Sequence, residues 1–310
     1  MFGCEVWRVD HRLNKEIDVL QAFDYIPAKT VDEVVALLAE QGDQAKPLSG
    51  GTDLIVLVRE GRRQLELMVD IKDIPETNVL SYDPGTGLNL GAAVPCYKIY
   101  ADDTICGAYP GLIDAVSIIG STGIQGRASV GGNLCNASPA ADTIPPLIVL
   151  ETTCVIAGPN GTREVPVEQF CTGPGQTVLE RGEFLLSFKI PPPEKNSSSH
   201  YLRFIPRNEM DIAVVGAGAS VVLNDAKTSF VSARIGLAAV APTPLFAEEA
   251  SALLAGKEVS DEAINEAAEA AKAIARPISD MRGTIEQRIH LVGVLTRRAL
   301  NGAIQRVKES

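Results

Sequence analysis

Between Ile119 and Asp142 the chain reads IGSTGIQGRASVGGNLCNASPAAD, with Gly120, Gly123, Gly126, Gly131 and Gly132 and neither Lys nor Glu. A long helix is excluded there, because each interior Gly costs about 0.8–1.0 kcal/mol relative to Ala. The stretch is also too polar for a plain core strand. Such small residues instead expose backbone N–H groups and let a ligand come close to them. Ser121, Thr122, Ser129, Asn133, Asn136 and Ser138 add short hydrogen-bonding groups, and Asp142 closes the stretch with one carboxylate. Backbone donors suit a pyrophosphate, and a nearby carboxylate suits a ribose or ribityl hydroxyl. The stretch reads as half of a dinucleotide cradle, against the plain alternative of a Gly-rich surface loop.

A second small-residue turn lies upstream, in Lys46-Pro47-Leu48-Ser49-Gly50-Gly51-Thr52-Asp53, and runs straight into Leu54-Ile-Val-Leu-Val58. A turn followed by a helix aims its first N–H groups at an anion.

The elements around these turns divide the chain. Phe23 to Pro27 reads as a short strand, and Thr30-Val-Asp-Glu33 is a capping-box pattern opening a helix with Val31, Val34, Val35 and Leu38 on one face. Leu67 to Ile71 is a compact strand, so the order strand, helix, strand, helix, strand suggests a small α/β unit. Leu88 to Val94 reads as a hairpin-type strand, and Asp102 to Ile119 as helical stretches broken near Pro110-Gly111. Thr153 to Ala157 and Phe184 to Ile190 are β-rich and read as antiparallel. Pro191-Pro-Pro193 and the polar residues after it form the best linker. Beyond it, Tyr201 to Ile205, Val214 to Leu223 and Ser232 to Val240 predict a three-stranded antiparallel sheet. An Ala-rich helix opens at Ser260, and a final amphipathic helix runs from about Ile285 to Val307.

The whole chain limits the function classes. A formal charge of −11 over 310 residues argues against nucleic acid or an anionic membrane as the main partner. The longest apolar run, Ile212 to Leu223, is about half of the roughly 20 residues a membrane span needs. The charged N-terminus is no secretory signal. Six scattered cysteines with no C-x-x-C pair form neither a disulfide framework nor a metal or cluster site, and the expected home is the cytoplasm. Three distant histidines offer no metal centre. Val214-Val-Gly-Ala-Gly-Ala-Ser220 suggests a Rossmann fingerprint, but Val221 stands where its third Gly belongs. Met210 reads as a core residue, and Arg207 with Asp211 as an ion pair or turn.

Taken together, five blocks resemble the FAD-binding medium subunit of the molybdenum hydroxylases, the carbon monoxide dehydrogenase and xanthine dehydrogenase family. They are PLSGGTDL at 47–54, ASVGGNLCNASPAAD at 128–142, EFLLSFKIP at 183–191, RNEMDIAVVGAG at 207–218 and RPISDMRGTIEQRIHLVGVLTRRAL at 276–300. The resemblance runs from about residue 20 to residue 308. It implies an α+β fold: a two-part FAD-binding domain of the vanillyl-alcohol-oxidase (PCMH) type over 20–193, with parts at about 20–78 and 79–193. A small C-terminal α+β domain over 199–310 follows, and residues 1–19 form an N-terminal extension.

The resemblance also implies the contacts. Pro47, Leu48, Ser49, Gly50, Gly51, Thr52 and Asp53 from one turn, and Ser129, Gly131, Gly132 and Asn133 from the other, hold FAD. Asn136 and Ser138 are polar contacts, and Asp142 takes a sugar hydroxyl. Ile119, Gly120 and Leu185 or Leu186 lie against the flavin ring, with Arg203 near its polar edge. No catalytic residue or metal ligand is expected in this chain. The implied partners are a large molybdopterin-binding subunit and a small subunit with two [2Fe–2S] clusters, in a dimer of heterotrimers. Electrons would pass from the clusters through FAD to NAD, a quinone or oxygen. Some relatives carry an additional iron–sulfur site in this subunit, which the cysteine spacing here does not offer. The competing reading is a stand-alone FAD-dependent oxidoreductase of the same flavin-domain fold.

Overall fold

Thr30 starts the first helix by local chemistry: its Oγ1 accepts the Glu33 N–H at 3.2 Å, and Glu33 accepts the Lys29 N–H at 2.8 Å. The structure, a computed structural model, describes residues 21–310, so the expected extension over residues 1–19 lies outside the described residues. The first unit follows the expected order: β1 (Asp24–Pro27), α1 (Val31–Gln41), β2 (Ala45–Leu48), α2 (Leu54–Arg59) and β3 (Leu67–Asp70). Its three strands pair in parallel in the order β1-β3-β2. Val34 and Leu38 of α1 are buried against Leu67 and Val69 of β3, which is what the helical spacing of those apolar residues demands.

The second unit is built on an antiparallel sheet of β4 (Leu80–Asp83), β5 (Gly87–Gly91), β6 (Thr153–Gly158), β7 (Gly161–Pro166) and β10 (Phe184–Ile190), ordered β4-β5-β10-β6-β7. Between β5 and β6 run six short helices. These are α3 (Cys96–Tyr100), α4 (Asp103–Ala108), α5 (Pro110–Val116), α6 (Thr122–Gln125), α7 (Val130–Cys135) and α8 (Ile144–Val149). A small ribbon of β8 (Cys171–Gly173) and β9 (Gln176–Thr177) precedes β10. The glycines keep α6 and α7 to four and six residues, as their helix-breaking propensity requires.

The C-terminal domain carries β11 (Ser197–Phe204), β12 (Val215–Leu223), β13 (Phe230–Ala238) and β14 (Leu245–Phe246), antiparallel throughout. The three expected strands are present, and β14 adds a fourth, two-residue edge strand too short to show any periodicity. Helices α9 (Glu248–Ala252), α10 (Asp261–Ile274) and α11 (Ile285–Glu309) cover the sheet. Val292, Leu295, Ala299 and Ile304 of α11 pack into one core with Val215, Ala217 and Ala219 of β12. Met210 departs from expectation: it is 57% exposed, on a loop between β11 and β12 where it has positive φ (51°). Arg207 and Asp211 form the expected ion pair on that loop, 3.2 Å apart.

The two domains meet through polar contacts. Arg306 of α11 grips Asp114 of α5 with both guanidinium nitrogens, at 2.7 and 2.8 Å. Arg234 of β13 reaches the Ile148 carbonyl, Glu151 and Glu168. Among the described residues, no helix is long and apolar enough to cross a membrane.

Candidate cofactor-binding site

The two Gly-Gly turns, separated in sequence, face each other across one cavity. The first leaves β2 at Leu48 and enters α2 through Asp53. The second opens α7, where Ser129 is the N-cap and accepts the Gly132 N–H at 3.0 Å. Their hydroxyls meet, with Ser49 Oγ 2.9 Å from Ser129 Oγ. Gly50 permits this approach, since a Cβ there would stand 2.0 Å from the Arg127 carbonyl oxygen. Gly131 is packed as tightly, with its Cβ position 2.4 Å from the Ala92 carbonyl oxygen. Gly51 supplies the left-handed residue of the first turn, at φ +76°.

Gly132 differs from these. A Cβ there would meet only Ser129 Oγ, at 3.2 Å, so this glycine leaves space on the cavity side and not in the packing. The cavity has a volume of about 460 Å³ and is walled by both of the N-terminal units. Among the described residues, the backbone N–H groups of Gly50, Gly51, Thr52, Asp53 and Gly131 have no hydrogen-bond acceptor. Unpaired backbone donors clustered on a concave wall are an anion site.

The remaining walls combine apolar and charged groups. Ile119, Ala92 and Leu185 supply apolar surface, while Lys46, Arg63 and Arg181 bring cations to the lining. Asp53 opens onto the cavity, yet the walls crowd its carboxyl, and this desolvation raises it above the ordinary carboxylate range. The wall formed by residues 179–185 is held by Glu183, which makes a bidentate pair with Arg163 at 2.7 Å on both oxygens. The Arg163 hydrogen bonds hold the Glu183 carboxyl below its usual range. A lowered carboxyl stabilises the fold above its ordinary value near about 4.3, and that contribution is lost as pH falls through the lowered value. Glu183→Gln is therefore expected to cost about 1–2 kcal/mol at neutral pH and to flatten the acid limb of the melting profile. Thermal melts of both proteins between pH 7 and pH 3 would check this; parallel profiles would remove Glu183 from the acid response.

The expected site residues divide into two groups. Pro47, Leu48, Ser49, Gly50, Gly51, Thr52, Asp53, Ile119, Ser129, Gly131, Gly132, Asn133, Asn136 and Leu185 all line the cavity. Gly120, Ser138, Asp142, Leu186 and Arg203 are not among its lining residues. The choice between Leu185 and Leu186 is made by a bulge: the β10–β6 register shifts between Leu185 and Ser187. Leu185 then lines the cavity, while Leu186 packs against the core around Val34 and Phe184. Asp142 is buried and paired with Arg203 at 2.5 Å. Burial raises its carboxyl, with Arg203 and the Tyr201 hydroxyl pulling the other way. Arg63, Thr177 and Arg181 line the cavity without any local pattern to mark them, because their segments come to it only through the packing of the two units.

The family described as "FAD binding domain in molybdopterin dehydrogenase" matches residues 21–193, and "CO dehydrogenase flavoprotein C-terminal domain" matches residues 200–303. The chain belongs to this family of molybdopterin-dehydrogenase flavoproteins. It is 33% identical to the carbon monoxide dehydrogenase medium chain of Afipia carboxidovorans over 93% of this chain and 98% of that one. It is 29% identical to the xanthine dehydrogenase FAD-binding subunit of Escherichia coli O157:H7, covering 90% of this chain and 95% of the relative. Carbon monoxide dehydrogenase from Hydrogenophaga pseudoflava, in a form lacking the Mo-pyranopterin moiety, has a chain that superposes with a TM-score of 0.88. The two are 32% identical, covering 93% of this chain and 99% of that one. This flavoprotein is thus an FAD-binding oxidoreductase subunit that transfers electrons within a molybdenum hydroxylase type of complex.

Proposed function

We propose that FAD lies across the two facing turns. The N–H groups of Gly50 to Asp53 and of Gly131 take its pyrophosphate, Asn133 and Asn136 hydrogen-bond its polar chain, and Ile119 and Leu185 cover the flavin ring. The observation that carries this reading is the cluster of unpaired N–H groups on one cavity whose two halves are locked together at Ser49 and Ser129. Bound FAD supplies one- and two-electron chemistry. The chain's own residues bind and orient it and keep apolar surface against the ring. No side chain here is assigned an acid, base or nucleophilic role.

In the working complex, a large subunit oxidises substrate at a molybdopterin centre, and a small subunit relays electrons through two [2Fe–2S] clusters to this chain. NAD, a quinone or oxygen then accepts them. The assembly is a dimer of heterotrimers in the cytoplasm, which the mass of the purified complex would test. Substrate choice belongs to the molybdenum subunit.

The direct test is the absorption spectrum of the purified chain, followed by release of its chromophore with acid. Intact FAD at about one per chain is expected. A colourless chain that also refuses added FAD would sink this reading.

A further inference from the structure

Three residues outside the cavity lining form a buried cluster that joins the two domains. Arg203 and Tyr201 lie on β11 of the C-terminal domain, and Asp142 lies between α7 and α8 of the FAD-binding domain. Arg203 Nη1 stands 2.5 Å from Asp142 Oδ2, with the two side chains only 8% and 11% exposed. The Tyr201 hydroxyl donates to Asp142 Oδ1 at 2.7 Å. Gly216 on the neighbouring strand makes room for that ring, since a Cβ there would stand 2.6 Å from the Tyr201 hydroxyl. The other Arg203 nitrogen, Nη2, donates to the Ile118 carbonyl at 2.9 Å.

Two routes lead from this cluster to the cavity. Ile118 immediately precedes Ile119, which lines the cavity, and Gly120 then turns the chain at φ +55°. On the other side, Thr143 follows Asp142 and donates through its N–H and its hydroxyl to Asn133 Oδ1, at 3.3 and 2.7 Å. Asn133 also lines the cavity.

We infer that Tyr201, Asp142 and Arg203 are positioning residues through which the C-terminal domain holds the Ile119 and Asn133 walls of the cofactor cavity in binding shape. The inference rests on the FAD reading above. The planar guanidinium of Arg203 bridges a carboxylate and a carbonyl at once, which the single ammonium of a Lys cannot reproduce. Removing either partner of a buried ion pair leaves the other charge uncompensated. The cluster therefore couples strand β11 to the ligand and does more than join two domains.

The test uses the full chain in four variants, Arg203→Ala, Arg203→Lys, Tyr201→Phe and Arg234→Ala. Arg234 makes a separate contact between the domains and does not line the cavity. FAD affinity is read from quenching of flavin fluorescence, and the ring's surroundings from visible circular dichroism of the bound flavin. Both Arg203 variants are expected to weaken FAD binding about tenfold and Tyr201→Phe about threefold, each with an altered dichroic spectrum. Arg234→Ala should lower the melting temperature of the FAD-free chain and leave affinity and spectrum unchanged. Restoration of affinity by Arg203→Lys would make Arg203 a simple cation and overturn the cluster. So would unchanged affinity and dichroism in Arg203→Ala or, should that variant fail to fold, in Tyr201→Phe. A wild-type chain that takes up no FAD would overturn the FAD reading itself, and this inference with it.

Discussion

Gly132→Leu is expected to abolish FAD retention while the chain still folds. Gly132 lies within α7, where a side chain raises helix propensity, and its Cβ would meet only Ser129 Oγ, at 3.2 Å. Ser129 can give by the few tenths of an ångström required. The rest of the leucine side chain then stands in the cavity between the turns, where the pyrophosphate is to lie. An affinity loss of at least about 100-fold is expected, or about 2.7 kcal/mol. Fluorescence titration with FAD, alongside a melt of the FAD-free chain, would check both halves of this expectation. Full flavin content in the variant would remove the cradle assignment.

Gly50→Ala should fail in the opposite way, by loss of the fold. Its Cβ would stand 2.0 Å from the Arg127 carbonyl oxygen and 2.6 Å from the Arg127 carbonyl carbon. Both are backbone atoms, so no rotamer change relieves the clash, and the two turns must separate. Because the Ser49–Ser129 contact and the cavity floor depend on that approach, a loss of about 3 kcal/mol or more is expected. The measurement is the melting temperature or denaturant midpoint of the FAD-free variant; a wild-type midpoint would show that the turns tolerate separation. Two glycines of one sequence pattern thus act differently. One keeps ligand space open, and the other lets backbone meet backbone.

The contrast shows how far sequence reading reaches at this site. Gly50 and Gly132 look alike in sequence, each as one member of a Gly-Gly pair. Only the neighbour that each missing side chain would strike distinguishes them. Leu185 and Leu186 are equally ambiguous, because alternation along β10 is interrupted by a bulge that no residue type announces. Met210 reads as apolar and therefore internal, yet it sits on an exposed loop, and composition cannot reveal whether a neighbouring element covers it.

What the sequence by itself determined is what depends on residues a few positions apart. The cap at Thr30, the interruption of α6 and α7 by glycine and the amphipathic face of α11 all follow from short-range spacing. So does the presence of two donor-rich turns. Five motif blocks in order were enough to point to the family, since they preserve those local features together. Tertiary structure alone decided that the turns face each other, through Ser49 and Ser129, 80 residues apart. It also decided that Arg203 spends its guanidinium on Asp142 and Ile118, 61 and 85 residues away. Burial, pairing and cavity walls arise from contacts between segments distant in the chain. Their partners are chosen by packing, which leaves no local periodicity to read.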